Sequence, residues 1–146
     1  MSLFSALSVS ASGMAAQRTR AELLTENLAN SETTRTPEGG PYRRQDAVFE
    51  TAPQTSPFGS VFEGELNAGM TGVQVSEIVQ DSSPPDRRYI PGHPDADASG
   101  YVAFPHINPA EDMADLVSSV RGYEANVAAM GAVKDMISKS VDLLRT

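Results

Sequence analysis

The residues best equipped for chemistry sit in one short stretch, His93-Pro94-Asp95-Ala96-Asp97. An imidazole and two carboxylates so close together are donor types that hold a divalent cation. Their spacing matches no compact metal motif, however. The surrounding Pro91, Gly92 and Pro94 are turn formers, and Asp bonds readily to the backbone just beyond it. A turn without a metal is the expectation. His106 stands alone and reads as a loop or surface residue. A hydrolytic site needs a nucleophile or an acid–base pair converging in a pocket. Serines and aspartates are plentiful, but there is no Gly-x-Ser-x-Gly and no histidine beside a motif serine. The sequence therefore predicts no catalytic residue, no cofactor, no metal and no small-molecule substrate.

Composition closes further classes. The 146-residue chain carries 11 Lys+Arg against 19 Asp+Glu, a net charge of −8. A nucleic-acid binder shows a basic face, whereas the largest basic clusters here are the pairs Arg43-Arg44 and Arg87-Arg88. No nucleic-acid partner is expected. Cysteine is absent, which excludes disulfides, thiolate metal sites and a cysteine nucleophile. No apolar run approaches the roughly 20 residues of a membrane span. The first basic residue is Arg18, so the positive n-region of a secretory leader is missing. A cytosolic chain, or one exported without cleavage, is expected.

With chemistry absent, patterning must carry the function. One register in the last third runs Met113, Leu116, Val120, Tyr123, Val127, Met130, Lys134, Ile137, Val141, Leu144. Its steps alternate three and four, and only Lys134 is polar. That is a heptad seam, the mark of a long helix lying against another helix. Asn108 as N-cap, Pro109 at the first helical position and Glu111 in the capping-box position set the start. A helix from Glu111 to Leu144 would be roughly 50 Å long.

The first thirty residues repeat the pattern. Leu3, Leu7, Ser10, Met14, Gln17, Ala21, Leu24 and Leu28 form one register, crowded by Ala6, Ala11, Gly13, Ala15 and Ala16. A helix from Leu3 to Asn30 is predicted. Small side chains permit close approach, while Gly13 costs about 1 kcal/mol in a helix interior. Packing must therefore supply its stability.

Between the helices the texture changes. Ala47–Phe49, Gly72–Val79, Arg87–Ile90 and Tyr101–Phe104 read as short strands. The Gly72–Val79 run alternates like a half-buried strand. The stretch 54–72 reads as an exposed loop.

The predicted fold is α+β. Two terminal helices (1–34 and 108–146) pair as a coiled coil around a small β-rich insertion (35–107). Val9, Leu23, Val117, Val133, Met136 and Leu143 would remain as apolar surface after that pairing, and such surface points to assembly. By packing alone, an intramolecular hairpin and a polymer fit equally well. A soluble coiled-coil adaptor or exported effector is the alternative function.

Several segments, taken in order, carry a resemblance. Met1-Ser2-Leu3-Phe4 opens the first helix. Asn27-Leu28-Ala29-Asn30 closes it, ahead of Thr33-Thr34 and Pro41-Tyr42-Arg43-Arg44. Tyr89-Ile90-Pro91-Gly92-His93-Pro94-Asp95-Ala96-Asp97 leads into Gly100-Tyr101-Val102. Arg121, Tyr123 and Asn126 form an Arg-x-Tyr-x-x-Asn motif. Together they resemble the bacterial flagellar basal-body rod proteins, and most closely the proximal rod branch, over nearly the whole chain.

The resemblance implies a subunit that polymerises into the rod, which serves as drive shaft and wall of the export channel. Its implied partners are copies of itself, other rod subunits and the flagellar type III export apparatus. Its implied location is the periplasm-spanning basal body, reached without a cleaved signal. Within the seam, Tyr123 is expected to be core and Lys134 to snorkel to water. Arg121 and Asn126 lie off the seam, on the expected outer face.

Overall fold

A computed structural model describes residues 3–53 and 71–143. Leu144 of the seam, the termini and most of the 54–72 loop lie outside these residues. The chain runs α1 (Leu3–Ala29), β1 (Gln45–Pro53), β2 (Thr71–Gln80), β3 (Asp86–Tyr89), β4 (Tyr101–Phe104) and α2 (Pro109–Leu143). The α+β class, the two long helices and all four expected strands are present. β2 opens at Thr71, which the sequence places in the loop, one residue before the expected strand start at Gly72.

Both helix boundaries follow from side-chain chemistry. At the start of α2, the Ala110 amide donates to Asn108 Oδ1 (3.2 Å), and the Asp112 amide donates to the Asn108 carbonyl (3.0 Å). Asn108 is thus the N-cap, satisfying donors that have no partner inside the helix. At the end of α1, Asn30 Nδ2 and the Asn30 amide both donate to the Glu26 carbonyl, each at 3.0 Å. Ser31 Oγ donates to the Leu28 carbonyl (2.8 Å), and Thr33 Oγ1 to Asn30 Oδ1 (3.1 Å). Polar side chains here occupy the last carbonyls and turn the chain out of the helix.

The strands form two separate two-stranded antiparallel sheets, β1–β2 and β3–β4. In the second, Asp86 pairs with Phe104 and Tyr89 with Tyr101. The two tyrosine rings meet edge to face, with centroids 5.3 Å apart. Gly100, at φ +81°, supports that contact: a Cβ there would lie 2.8 Å from Tyr89 Cε2. Half-burial along β2 holds only for Val73 and Val75, while Ile78 and Val79 are exposed.

By contacts the chain divides into two compact units. One comprises Met1–Thr19, Phe49–Ser76 and Ser119–Thr146; the other comprises Arg20–Val48 and Glu77–Ser118. The second holds Leu23, Leu24, Val102, Phe104 and Ile107, all buried, with Val102 at 0% exposure. Its Arg88 guanidinium caps the Phe104 ring at 4.6 Å. The first holds buried Ala16 and Val133. Leu23 and Val133, expected on leftover apolar surface, are in fact core residues.

Candidate assembly surface

Each long helix carries a set of buried groups, and the two sets differ in chemistry. In α1 the decisive group is Asn27, at 0% exposure. Its Oδ1 accepts from the Gln45 amide (2.9 Å) and the Tyr42 hydroxyl (3.0 Å), and its Nδ2 donates to the Gln45 carbonyl (2.9 Å). One carboxamide thus satisfies both backbone groups of the first residue of β1. The Tyr42 amide in turn donates to the Thr33 carbonyl at 3.0 Å. Burial, with the Glu26 charge adding to it, pushes the Tyr42 pKa up to about 12, so the hydroxyl remains a donor. The Asn27-to-Asn30 segment is therefore a structural clamp. Leu28 is half-buried and Ala29 exposed.

On α2 the buried positions are Asp112, Ser119 and Val133, with Leu116, Gly122, Asn126, Met130 and Ile137 half-buried. This stripe is spaced by threes and fours, but at most turns it sits one residue before the expected seam. Leu116, Met130 and Ile137 belong to both. The other described seam residues, Met113, Val120, Tyr123, Val127, Lys134 and Val141, face outward, with Val127 47% exposed and Val141 50%. Tyr123, expected as core, is 40% exposed. Asn126, expected on the outer face, lies against α1: a Cβ built on Gly13 would meet its carboxamide at 3.0 Å. Arg121 is exposed as expected. On α1, Leu24 is buried, Leu7, Met14 and Ala21 are half-buried, and Leu3 is exposed. Periodicity located the helix but misjudged its rotation, because from Ser119 to Asn126 the inward stripe is small or polar and carries no hydropathy signal.

Electrostatics ties the start of α2 to β1. Arg44 Nη2 lies 3.2 Å from Asp112 Oδ1 and 3.4 Å from Asp46 Oδ1. Asp112 is only 1% exposed, and neither of its carboxylate oxygens has a hydrogen-bond partner among the described residues. The contact with Arg44 is thus an ion pair without hydrogen-bond alignment. Burial raises the Asp112 pKa; Arg44 opposes the shift, while Asp46 reinforces it. Arg20 and Asp115 make a second ion pair at 3.3 Å.

In the stretch with metal-ligand residue types, His93 and Asp97 bond to nearby backbone and Asp95 to Thr34 and Arg35. His93 Nδ1 accepts from the Asp95 amide (3.1 Å). Asp95 accepts from the Thr34 hydroxyl (2.8 Å) and faces Arg35 (3.4 Å). Asp97 accepts from the Tyr101 and Ser99 amides at 3.0 and 2.8 Å, and these bonds hold its pKa below the usual carboxylate range. The segment is the turn joining β3 to β4. Among the described residues no cluster of His, Asp or Glu could hold a metal ion. His106 lies on the surface, 3.0 Å from Asp86, whose carboxylate raises its pKa.

Comparison with known proteins fits a chain built for packing. Residues 98–143 match the family described as flagellar basal body rod FlgEFG protein C-terminal. Three full-length relatives are named flagellar basal-body rod protein FlgC. That of Borreliella burgdorferi is 40% identical over 153 residues, covering 99% of each chain. That of Bacillus subtilis is 44% identical over 149 residues, 98% of this chain and 99% of its own. That of Salmonella typhimurium is 31% identical over 143 residues, 98% of each. The chain belongs to the flagellar basal-body rod proteins, in the FlgC family. It is a structural rod subunit of the flagellar basal body.

Proposed function

We propose that this subunit polymerises into the proximal rod, packing the outward apolar stripe of α2 against neighbouring subunits. The observation that carries the reading is the exposure of Met113, Val117, Val120, Tyr123, Val127 and Val141 along one long helix. A soluble monomer rarely leaves so long an apolar stripe in water, whereas a polymer buries it between copies. The terminal segments, 1–34 and 108–146, with their helices α1 and α2, then form the rod's inner coiled-coil layer and wall of the export channel. The β-rich segment 35–107 faces outward. Partners are copies of this chain and other rod subunits, with the flagellar type III apparatus delivering the chain uncleaved.

The test is a deletion strain together with side-chain-resolution density of the isolated basal body. The expected result is loss of rods and swimming on deletion, and in the map Val120, Tyr123 and Val127 covered by a neighbouring subunit. A strain that still builds rods, or a map leaving those residues against solvent, would overturn the proposal.

A further inference from the structure

We infer that a reciprocal pair of glycines and carboxamides, Gly13 with Asn126 and Gln17 with Gly122, sets the register and rotation in which α1 and α2 meet. The two helices carry the same local spelling, Gly13-Met-Ala-Ala-Gln17 and Gly122-Tyr-Glu-Ala-Asn126. Each glycine is followed four residues later by a carboxamide, so both lie on one face of the helix. Where the helices touch, the pairs cross: Gly13 meets Asn126 and Gly122 meets Gln17. Rising numbers on α1 meet falling numbers on α2, so the helices are antiparallel at this point. Both contacts lie within one compact unit.

The fit is tight and its halves are unequal. A Cβ on Gly13 would lie 3.0 Å from both Asn126 Nδ2 and Oδ1 and 3.1 Å from Cγ. Asn126 is braced, because its Nδ2 donates to the Gly122 carbonyl at 2.8 Å. It cannot swing aside without losing that bond. A Cβ on Gly122 would lie 3.2 Å from Gln17 Cδ and 3.4 Å from Cγ. Gln17 is unbraced at its tip, where the buried Oε1 has no hydrogen-bond partner among the described residues. Gly131 has nothing within 4 Å of its Cβ position.

This lock explains why the apolar stripe of α2 faces away from α1. Turning α2 to bring Val120 and Val127 inward would lift Asn126 off Gly13 and Gly122 off Gln17. A polar or small residue that fits one register only is a known means of fixing helix alignment. The inference concerns contact within one chain and holds or fails apart from polymerisation.

The three glycines give a test by sign, read as the thermal midpoint of the purified full chain by circular dichroism. Alanine is the better helix former, so Gly131→Ala should raise the midpoint by about 3 °C. Gly122→Ala should change it little, since Gln17 can yield. Gly13→Ala should lower it by about 3 °C or more through overpacking. The double variant Gly13→Ala/Asn126→Ala should return to the wild-type midpoint or above. The exchanged variant Gly13→Asn/Asn126→Gly should melt well above Gly13→Asn alone. A Gly13→Ala midpoint that rises like that of Gly131→Ala overturns the inference. So does a loss that Asn126→Ala does not reverse, including one so severe that both variants fail to fold.

Discussion

The two faces of α2 invert the usual arrangement. The face turned inward carries Asp112, Ser119, Gly122 and Asn126 among Leu116, Met130, Val133 and Ile137, and of these apolar residues only Val133 is fully buried. The outward face carries Met113, Val117, Val120, Tyr123, Val127 and Val141. In a self-sufficient hairpin the apolar stripe would face the partner helix within the chain. Here the contact with α1 at Gly13 and Gln17 is made by the small and polar Gly122 and Asn126, by steric fit. The apolar area, of the kind that supplies most association energy, stands exposed on the chain itself. The difference teaches that a heptad stripe in sequence does not by itself say which face of the helix meets the partner within the chain.

The sharpest break of this comparison is a charge on the outward face. Val127→Asp should abolish swimming when it complements a deletion strain, because assembly would bury an unpaired carboxylate. Unfolding of the free chain should shift by less than about 1 kcal/mol, since the site is exposed before assembly. Normal motility would return the stripe to the status of an ordinary wet surface.

Next in size is the clamp that lets α1 hold the insertion. Asn27→Ala leaves the Gln45 amide and carbonyl and the Tyr42 hydroxyl without their partner. Denaturant titration should show a loss of about 3 kcal/mol, at about 1–3 kcal/mol for each buried group left unpaired. An unchanged midpoint would mean that water replaces the carboxamide.

A smaller effect separates the polar inward face by pH. The folded-state pKa of Asp112 is raised by burial, so the native chain binds that proton more readily than the unfolded chain. The penalty is fully present above the raised pKa and is relieved as pH falls through it. Asp112→Asn should therefore be more stable than wild type at neutral pH, and the advantage should shrink on acidification. Unfolding measured across the acid range checks the direction; an advantage that grows on acidification would contradict it.

The smallest effect lies on the surface. Asp86 raises the His106 pKa through its hydrogen bond and its charge. Any stability from this pair is present below the ordinary histidine range and lost as pH rises through the raised value. In Asp86→Asn the His106 titration, followed by NMR, should move toward lower pH. An unmoved titration would dissolve the pair.

Much of the architecture was legible in residue types. Asn108-Pro109 marked the start of α2, and Asn27 through Thr34 marked the end of α1, because capping is local chemistry decided within a few residues. The short strands were visible as β-branched and aromatic runs between turn formers. The turn at His93–Asp97 was legible for the same reason. Three things were not. Hydropathy cannot see an inward stripe made of Ser119, Gly122 and Asn126. The role of Asn27 depends on Tyr42 and Gln45, 15 and 18 residues away. The buried Asp112 looks, in sequence, like an ordinary acidic residue in a first turn.

By itself, then, the sequence determined the elements, their ends and the presence of an apolar stripe. All of these follow from short-range sterics, capping and periodicity. Only the tertiary structure decided how α2 is rotated and which residues meet α1. That choice rests on contacts between residues more than a hundred positions apart, where a missing Cβ at Gly13 and a braced carboxamide at Asn126 count for more than hydropathy.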